Sequence, residues 1–463
     1  MVGTFGAPRT GEIDAGKPAP FGWAPLVVLF IVGLVDRIEY NLLSGVLPLV
    51  QKEWGFSDTA AGSIPTAAAL AGALVALPAG YLADRRDRTR IIATVVVIWA
   101  VATLGSGLAT GFAMFYLMRV LLAAAENIDN PASGSLLADY YPPVSRAKAY
   151  GLTRVTTYLG GVGTLLGGVL GQAYGWRSAF LIMVVPGLLT AWLVWRLREP
   201  GRGELDRLVA KLTPSSGTAA TATPPATSPA TLPTVPPDGH SDDAVPAAKP
   251  PFWPQVRQVL TIPTLLFVCA GLSLLTLGLA GVFYWLPSLM VRAFGVGAGA
   301  AGSLSGLITI AGTLTGTLVG SWLGRRWHGT RKGGRLLAGG GGITIGSAVL
   351  AVALSMDSIT GLAALTLLAC SLMSIAIPNM MACVADVVPA GVRGLGFGVL
   401  QLLITAGGAF GSLVVGIASD QMGSLLSGMY ILVPPMVIGG LLTLGARASF
   451  ERDAGKVLDA ARG

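Results

Sequence analysis

Apolar runs of membrane length recur along the chain. A bilayer core of about 30 Å needs roughly 20 helical residues to cross it. On that template the sequence predicts about twelve spans, at 24–50, 59–82, 91–110, 112–138, 148–172, 178–197, 262–291, 298–323, 336–356, 359–384, 394–419 and 424–447. Residues 198–256 separate six from six and are rich in Pro, Thr, Ala and Ser. Such a stretch buries too little apolar surface to offset its chain entropy, so it reads as a flexible linker. A short amphipathic helix is predicted at 205–212, before the Pro-rich part. The resulting plan is a tail at 1–22, a six-helix bundle at 23–197, the linker at 198–256, a second bundle at 257–447 and a tail at 448–463.

Composition excludes the soluble alternative. Apolar residues make up 53% of the chain and charged residues 12%, against about 25% charged in soluble domains. One core cannot absorb that excess, since single cores stop growing at about 250–300 residues. The 64 glycines suit close helix approach in a membrane. The net charge of +8 follows from loop positions and not from nucleic-acid binding. One face carries Arg85, Arg86, Arg88, Arg90, Arg146, Lys148, Arg325, Arg326, Arg331, Lys332, Arg335 and Arg393. The other has Lys52, Arg177 and Arg292. The basic face is therefore expected to be cytoplasmic, with both termini and the linker on that side. Residues 1–22 are polar and the first apolar run is too long for a signal h-region, so no cleavable signal peptide is expected. Cys269, Cys370 and Cys383 all fall inside spans and read as small buried residues without disulfides. His240 and His328, in linker and loop, read as solvated residues and not metal ligands.

Two spans carry charge at midplane depth. Asp36, Arg37 and Glu39 lie in the first, and Arg119, Glu126 and Asp129 in the fourth. An ionised side chain at the bilayer centre costs several kcal/mol, so such groups face a bundle interior or a wet cavity and mark a transport path. Arg119 and Glu126 are seven residues apart, on nearly one helix face and about 10 Å apart along the axis. Glu39 is expected to face a different side of its helix from Asp36 and Tyr40. The segment Gly160-Gly-Val-Gly-Thr-Leu-Leu-Gly-Gly168 reads as a close-packing helix face.

The segment Gly80-Tyr-Leu-Ala-Asp-Arg-Arg-Asp-Arg-Thr-Arg90 resembles the loop 2–3 signature of the major facilitator superfamily. Within that superfamily the chain is similar to the spinster branch of lysolipid and sphingolipid transporters. Asp36-Arg37, Arg119 to Glu126, Ser135-Leu-Leu-Ala-Asp-Tyr-Tyr-Pro-Pro143, Trp285-Leu-Pro287 and Asp386-Val-Val-Pro-Ala-Gly-Val-Arg393 carry that likeness. It implies an all-α polytopic membrane protein of the major facilitator fold, two pseudo-symmetric six-helix bundles with spans one, four, seven and ten around a central cavity. The implied protein is a monomer in the bacterial inner membrane, surrounded by membrane lipids and driven by the proton gradient without a cofactor.

The charges themselves, read physically, suggest roles. Burial disfavours a charged carboxylate and a neighbouring guanidinium favours it, so an anion that draws the Arg away triggers proton uptake. Asp36 is then the proton site, with Arg37 as its switching partner and Glu126 taking part in coupling. Arg37, Tyr40, Arg119, Glu126, Asp129 and Tyr284 are the substrate-binding candidates, because a guanidinium fork holds a phosphate or carboxylate bidentately. Asp129 either shares the role of Glu126 or pairs with Arg154. The resemblance implies that Gly80, Asp84, Arg85, Arg88, Asp139 and Arg146 form a conformational latch. The bland alternative is that these charges only lock helices together as buried ion pairs. Phe283, Tyr284 and Trp285 supply an aromatic wall, or, for Trp285, an interfacial belt. The expected function is proton-coupled transport of an anionic amphiphile such as a lysophospholipid, with a small organic anion or an exported drug as the alternative cargo. A receptor or scaffold gives no physical motive for midplane charge. No nucleophile–base pair, metal-ligand spacing or Walker loop supports an enzyme or a nucleotide-driven pump.

Overall fold

The computed structural model describes residues 17–212 and 252–460; the middle of the linker, with His240, and both chain ends lie outside them. Its first half holds α1 (Ala24–Trp54), α2 (Asp58–Arg85), α3 (Arg88–Gly107), α4 (Phe112–Tyr140), α5 (Pro143–Tyr158), α6 (Gly161–Tyr174) and α7 (Trp176–Trp195). Two short helices follow, α8 (Glu204–Leu212) and α9 (Phe252–Leu260). The second half holds α10 (Pro263–Phe294), α11 (Ala298–Trp327), α12 (Gly334–Leu354), α13 (Ile359–Ser374), α14 (Ala376–Val387), α15 (Arg393–Met422), α16 (Leu425–Tyr430) and α17 (Val433–Gly445), and α18 (Arg447–Ala460) closes the chain. The short helix expected at 205–212 is α8. The stretch expected to be a tail from 448 is helical through Ala460.

Eight of these helical stretches are long and apolar enough to cross a membrane. α1, α2 and α4 are long enough too, at 31, 28 and 29 residues, but carry polar positions. α5 and α6 make one more span, interrupted at Leu159 and Gly160. The chain is therefore an all-α polytopic membrane protein of twelve spans in two bundles. Local signals set the boundaries. Gly55 ends α1 at φ +64, a left-handed conformation that favours glycine. Ser57 caps α2 by accepting from the Ala60 amide.

The glycines of α6 form the expected close-packing face. A Cβ on Gly163 would stand 1.9 Å from the Ile38 carbonyl oxygen of α1, and one on Gly168 would stand 2.4 Å from the Ala298 oxygen of α11. Gly163→Val is expected to wedge α1 from α6 and cost about 1–3 kcal/mol, typical of overpacking. A thermal melt in detergent reads this, and an unchanged midpoint would contradict the packing.

The bundles meet at the end away from the basic loops. There α2 packs on α15, with the Ser412 hydroxyl donating to the Gly62 carbonyl at 2.9 Å and Thr66 donating to Ala409 at 2.6 Å. Further along the same pair, Leu74 and Leu402 are 79% and 69% exposed. The helices have parted by that point. α6 and α11 likewise touch at Gly161 and Gly306, while Leu152 on α5 and Leu318 on α11 are exposed. The molecule is a V, shut at one end and open toward the basic end.

Basic-end ion pairs repeat between the halves. Arg88, fully buried, pairs with Asp139 and Glu199. Arg335 pairs with Asp386 247 residues on (88 to 335, 139 to 386). Of the expected latch, Arg88 and Asp139 thus meet inside the first bundle. Arg146 reaches the Ala138 and Tyr141 carbonyls and pairs with Asp206 of α8. Arg85 lies over the Tyr81 ring at 4.1 Å. The side chains of Gly80 and Asp84 lie outside the described ones. α8 docks through the Gly203 amide, which donates to Asp139, and through Leu205, which is buried.

Candidate functional site

Near the apex of the V lies a cavity of about 170 Å³. Tyr40, Asn41, Leu43 and Ser44 of α1 line it with Ile64, Pro65 and Ala68 of α2 and Arg119, Leu122 and Ala123 of α4. Ala280, Phe283 and Tyr284 of α10 and Gly408 and Ser412 of α15 complete the wall. One side is thus apolar and aromatic, and Arg119 supplies a cation.

Arg119 is 4% exposed and held from behind. Its Nε and Nη2 donate to the Ser106 hydroxyl at 3.1 and 2.9 Å, and Nη2 reaches Glu39 at 3.3 Å. The Phe180 ring lies 4.8 Å from the guanidinium carbon. Glu39 is buried and also accepts from Trp99 and Thr103 of α3. This cluster ties α1, α3 and α4 together and engages Glu39 there, while Asp36 lines a separate cavity. Five donors sit on a guanidinium. The Nη1 edge has no protein partner among the described residues, which leaves it to the cavity.

The other charges gather on the basic side of this cavity. Asp36 pairs with Arg37 at 3.2 Å, and Glu126 lies beside that pair. Tyr40 is 49% exposed although it sits at midspan, so it faces the opening between the bundles. Asp129 accepts from Ser133 at 2.7 Å. No ion pair joins Asp129 to Arg154 among the described residues. Both line a second cavity of about 200 Å³ with Asp36 and Arg37.

Two aromatic expectations change. Tyr284 lines the cavity, but its hydroxyl donates across the bundles to the Ala61 carbonyl at 2.7 Å. Trp285 is wholly buried and donates to the Ser412 carbonyl at 2.9 Å, so it belongs to neither the cavity wall nor an interfacial belt. A 100° step per residue turns neighbouring side chains onto different helix faces. Cys269, Cys370 and Cys383 are free and buried, as expected.

Sequence reasoning missed the clasp that shuts the apex. Arg292 of α10 grips both Asp58 oxygens at 2.6 and 2.7 Å and donates to Gln51 at 2.9 Å. Ser419 donates to Asp58 at 2.6 Å. Asp420 accepts from the amides of Asp58 and Thr59, capping α2 from the opposite bundle. The sequence showed only that Arg292, Asp58 and Asp420 all fall at span ends on the sparsely charged face.

Two bundles parting at one end around a charged cavity define a membrane-transporter fold. The Major Facilitator Superfamily pattern matches residues 29–412, and the chain belongs to that family, whose members are transporters and not enzymes. It is 29% identical over 210 residues to the gallate transporter of Pseudomonas putida, covering 45% of this chain and 46% of that one. It is 27% identical over 187 residues to protein spinster homolog 1 of Xenopus laevis, covering 39% and 36%. The chain thus spans less than half the length of these relatives. Its fold matches a bacterial homolog of the human lysosomal transporter spinster in an inward-facing, unoccupied conformation, with a TM-score of 0.74, 22% identity, and 94% and 97% of the two chains covered.

Proposed function

We propose that this protein is a proton-coupled transporter of a small organic anion, with an aromatic or unsaturated carboxylate as its cargo. The observation that carries this reading is the open Nη1 edge of Arg119 in a 170 Å³ cavity walled by Tyr40, Phe283 and Tyr284. Pockets for drug-sized ligands run about 300–1,000 Å³, so this one suits a single ring with a carboxylate. The gallate relative carries cargo of that chemistry by name. The spinster likeness keeps the lysophospholipid as the second reading.

Coupling runs through Asp36, Arg37 and Glu126. The anion draws guanidinium charge to itself, and the Asp36–Glu126 pair takes or gives a proton as the bundles rock. In this reading the basic end is cytoplasmic, the V opens inward, and the bundles at 23–197 and 257–447 move as units in a bacterial inner membrane. The protein works as a monomer without a cofactor. The basic-end pairs around Arg88, Asp139 and Arg146, with Arg85, Gly80 and Asp84 beside them, act as the latch that yields when that end closes.

The test is uptake into proteoliposomes of labelled benzoate, gallate and a lysophospholipid, with and without an imposed proton gradient. Gradient-driven benzoate or gallate uptake, lost in Asp36→Asn while binding persists, is the expected result. Uptake by that variant at the wild-type gradient dependence would refute the role of Asp36. Gradient-driven movement of the lysophospholipid alone would replace the small-anion reading with the amphiphile.

A further inference from the structure

The second cavity, about 200 Å³, opens on the basic side of the first between α1, α4 and α5. Arg154 sits about eleven residues into α5, and Asp129 lies about eleven from the end of α4. Both are therefore about 16 Å from the basic end. A cation that deep in a spanning helix is costly unless it is answered by an anion or by water. Arg154 has no hydrogen-bond or ion-pair partner among the described residues. Of the other charges facing it, Arg37 is engaged with Asp36, and Asp129 accepts from Ser133. Thr157 stands three residues on, on the same helix face, and its hydroxyl also lacks a partner among the described residues. Thr153 and Thr156 by contrast donate to the carbonyls of Tyr150 and Thr153.

We infer that Arg154 and Thr157 form a second anion subsite, a carboxylate resting place between the central cavity and the basic end. Its cargo assignment rests on the small-anion reading above. The guanidinium binds the carboxylate, and the Thr157 hydroxyl donates a further bond. A leaving anion exchanges Arg119 for Arg154 before it meets bulk water, which makes departure from a buried cation less steep.

The experiment uses the full chain with Thr153→Cys as a reporter on the same cavity, since the native cysteines are buried. Anionic and cationic methanethiosulfonate reagents are applied from the basic end. The anionic reagent is expected to react preferentially, and Arg154→Gln is expected to reduce that preference about tenfold, the factor for about 1.4 kcal/mol. Arg154→Lys keeps the charge and much of the preference, which separates the result from misfolding. Benzoate should slow labelling in Arg119→Gln but not in Arg154→Gln. A reagent preference indifferent to Arg154→Gln overturns the subsite. If that preference depends on Arg154 but vesicles take up no organic anion, the small-anion reading fails and the anion subsite stands.

Discussion

Arg119→Gln is expected to abolish anion binding in the central cavity and to lower stability by about 3–5 kcal/mol, the range for breaking a buried pair from one side. The loss has two separable origins. Glu39 would be left buried against Trp99 and Thr103 without its cation. The cavity would at the same time lose the open Nη1 edge. The double variant Glu39→Gln/Arg119→Gln removes the stranded charge, so its melting temperature should recover while its binding does not. Calorimetric binding of benzoate, set beside thermal melts of the three proteins, distinguishes these effects. Binding retained by the stable double variant even when Arg154→Gln is added would remove Arg119 from the site and leave it a helix lock.

Arg292→Ala should release the shut end. Arg292 bonds both oxygens of Asp58 and also Gln51, and Asp58 is further held by Ser419. A hydrogen bond to a charged group contributes about 1.5–3 kcal/mol. Arg292 is 40% exposed in its side chain, so solvent screening places the net effect at the low end of that range. A shift of about 1.4 kcal/mol is tenfold in the ratio of the two open states. Spin labels on Lys52→Cys and Ala300→Cys, both exposed near the apex, should report a longer distance in a larger fraction of molecules. An unchanged distance distribution would show that the glycine contacts alone hold the apex shut. Asp420→Ala should act in the same direction and more weakly, since it removes a helix cap of about 1 kcal/mol.

Much of this was legible in the chain. Hydropathy places the twelve spans because a membrane helix must satisfy its backbone internally and show apolar side chains outward. The different aspects of Glu39 and Tyr40 follow from 100° per residue. The glycine run of α6 announces close approach. Other features depend on contacts far apart in sequence. Glu39 finds Arg119 80 positions away, and the meeting depends on the rotation of α3 and α4, which no local pattern encodes. Asp58 and Arg292 are 234 apart and on different bundles, so their pairing exists only in one arrangement of the halves. Trp285 next to Tyr284 shows the same limit at short range: one faces the cavity, and its neighbour is sealed in a helix interface.

The seam between α6 and α11 bears on the temperature dependence of the cycle. Gly161 and Gly168 there meet the backbone of Gly306 and Ala298 without side chains between them. Such a joint has little side-chain interdigitation to undo, and it holds few directional bonds to break. The activation enthalpy for rocking then comes mainly from the ionic clasp at Asp58, Arg292 and Asp420 and little from the bearing it turns on. Arrhenius slopes for exchange between the two open states should be steep in the native protein and distinctly shallower once the clasp is cut.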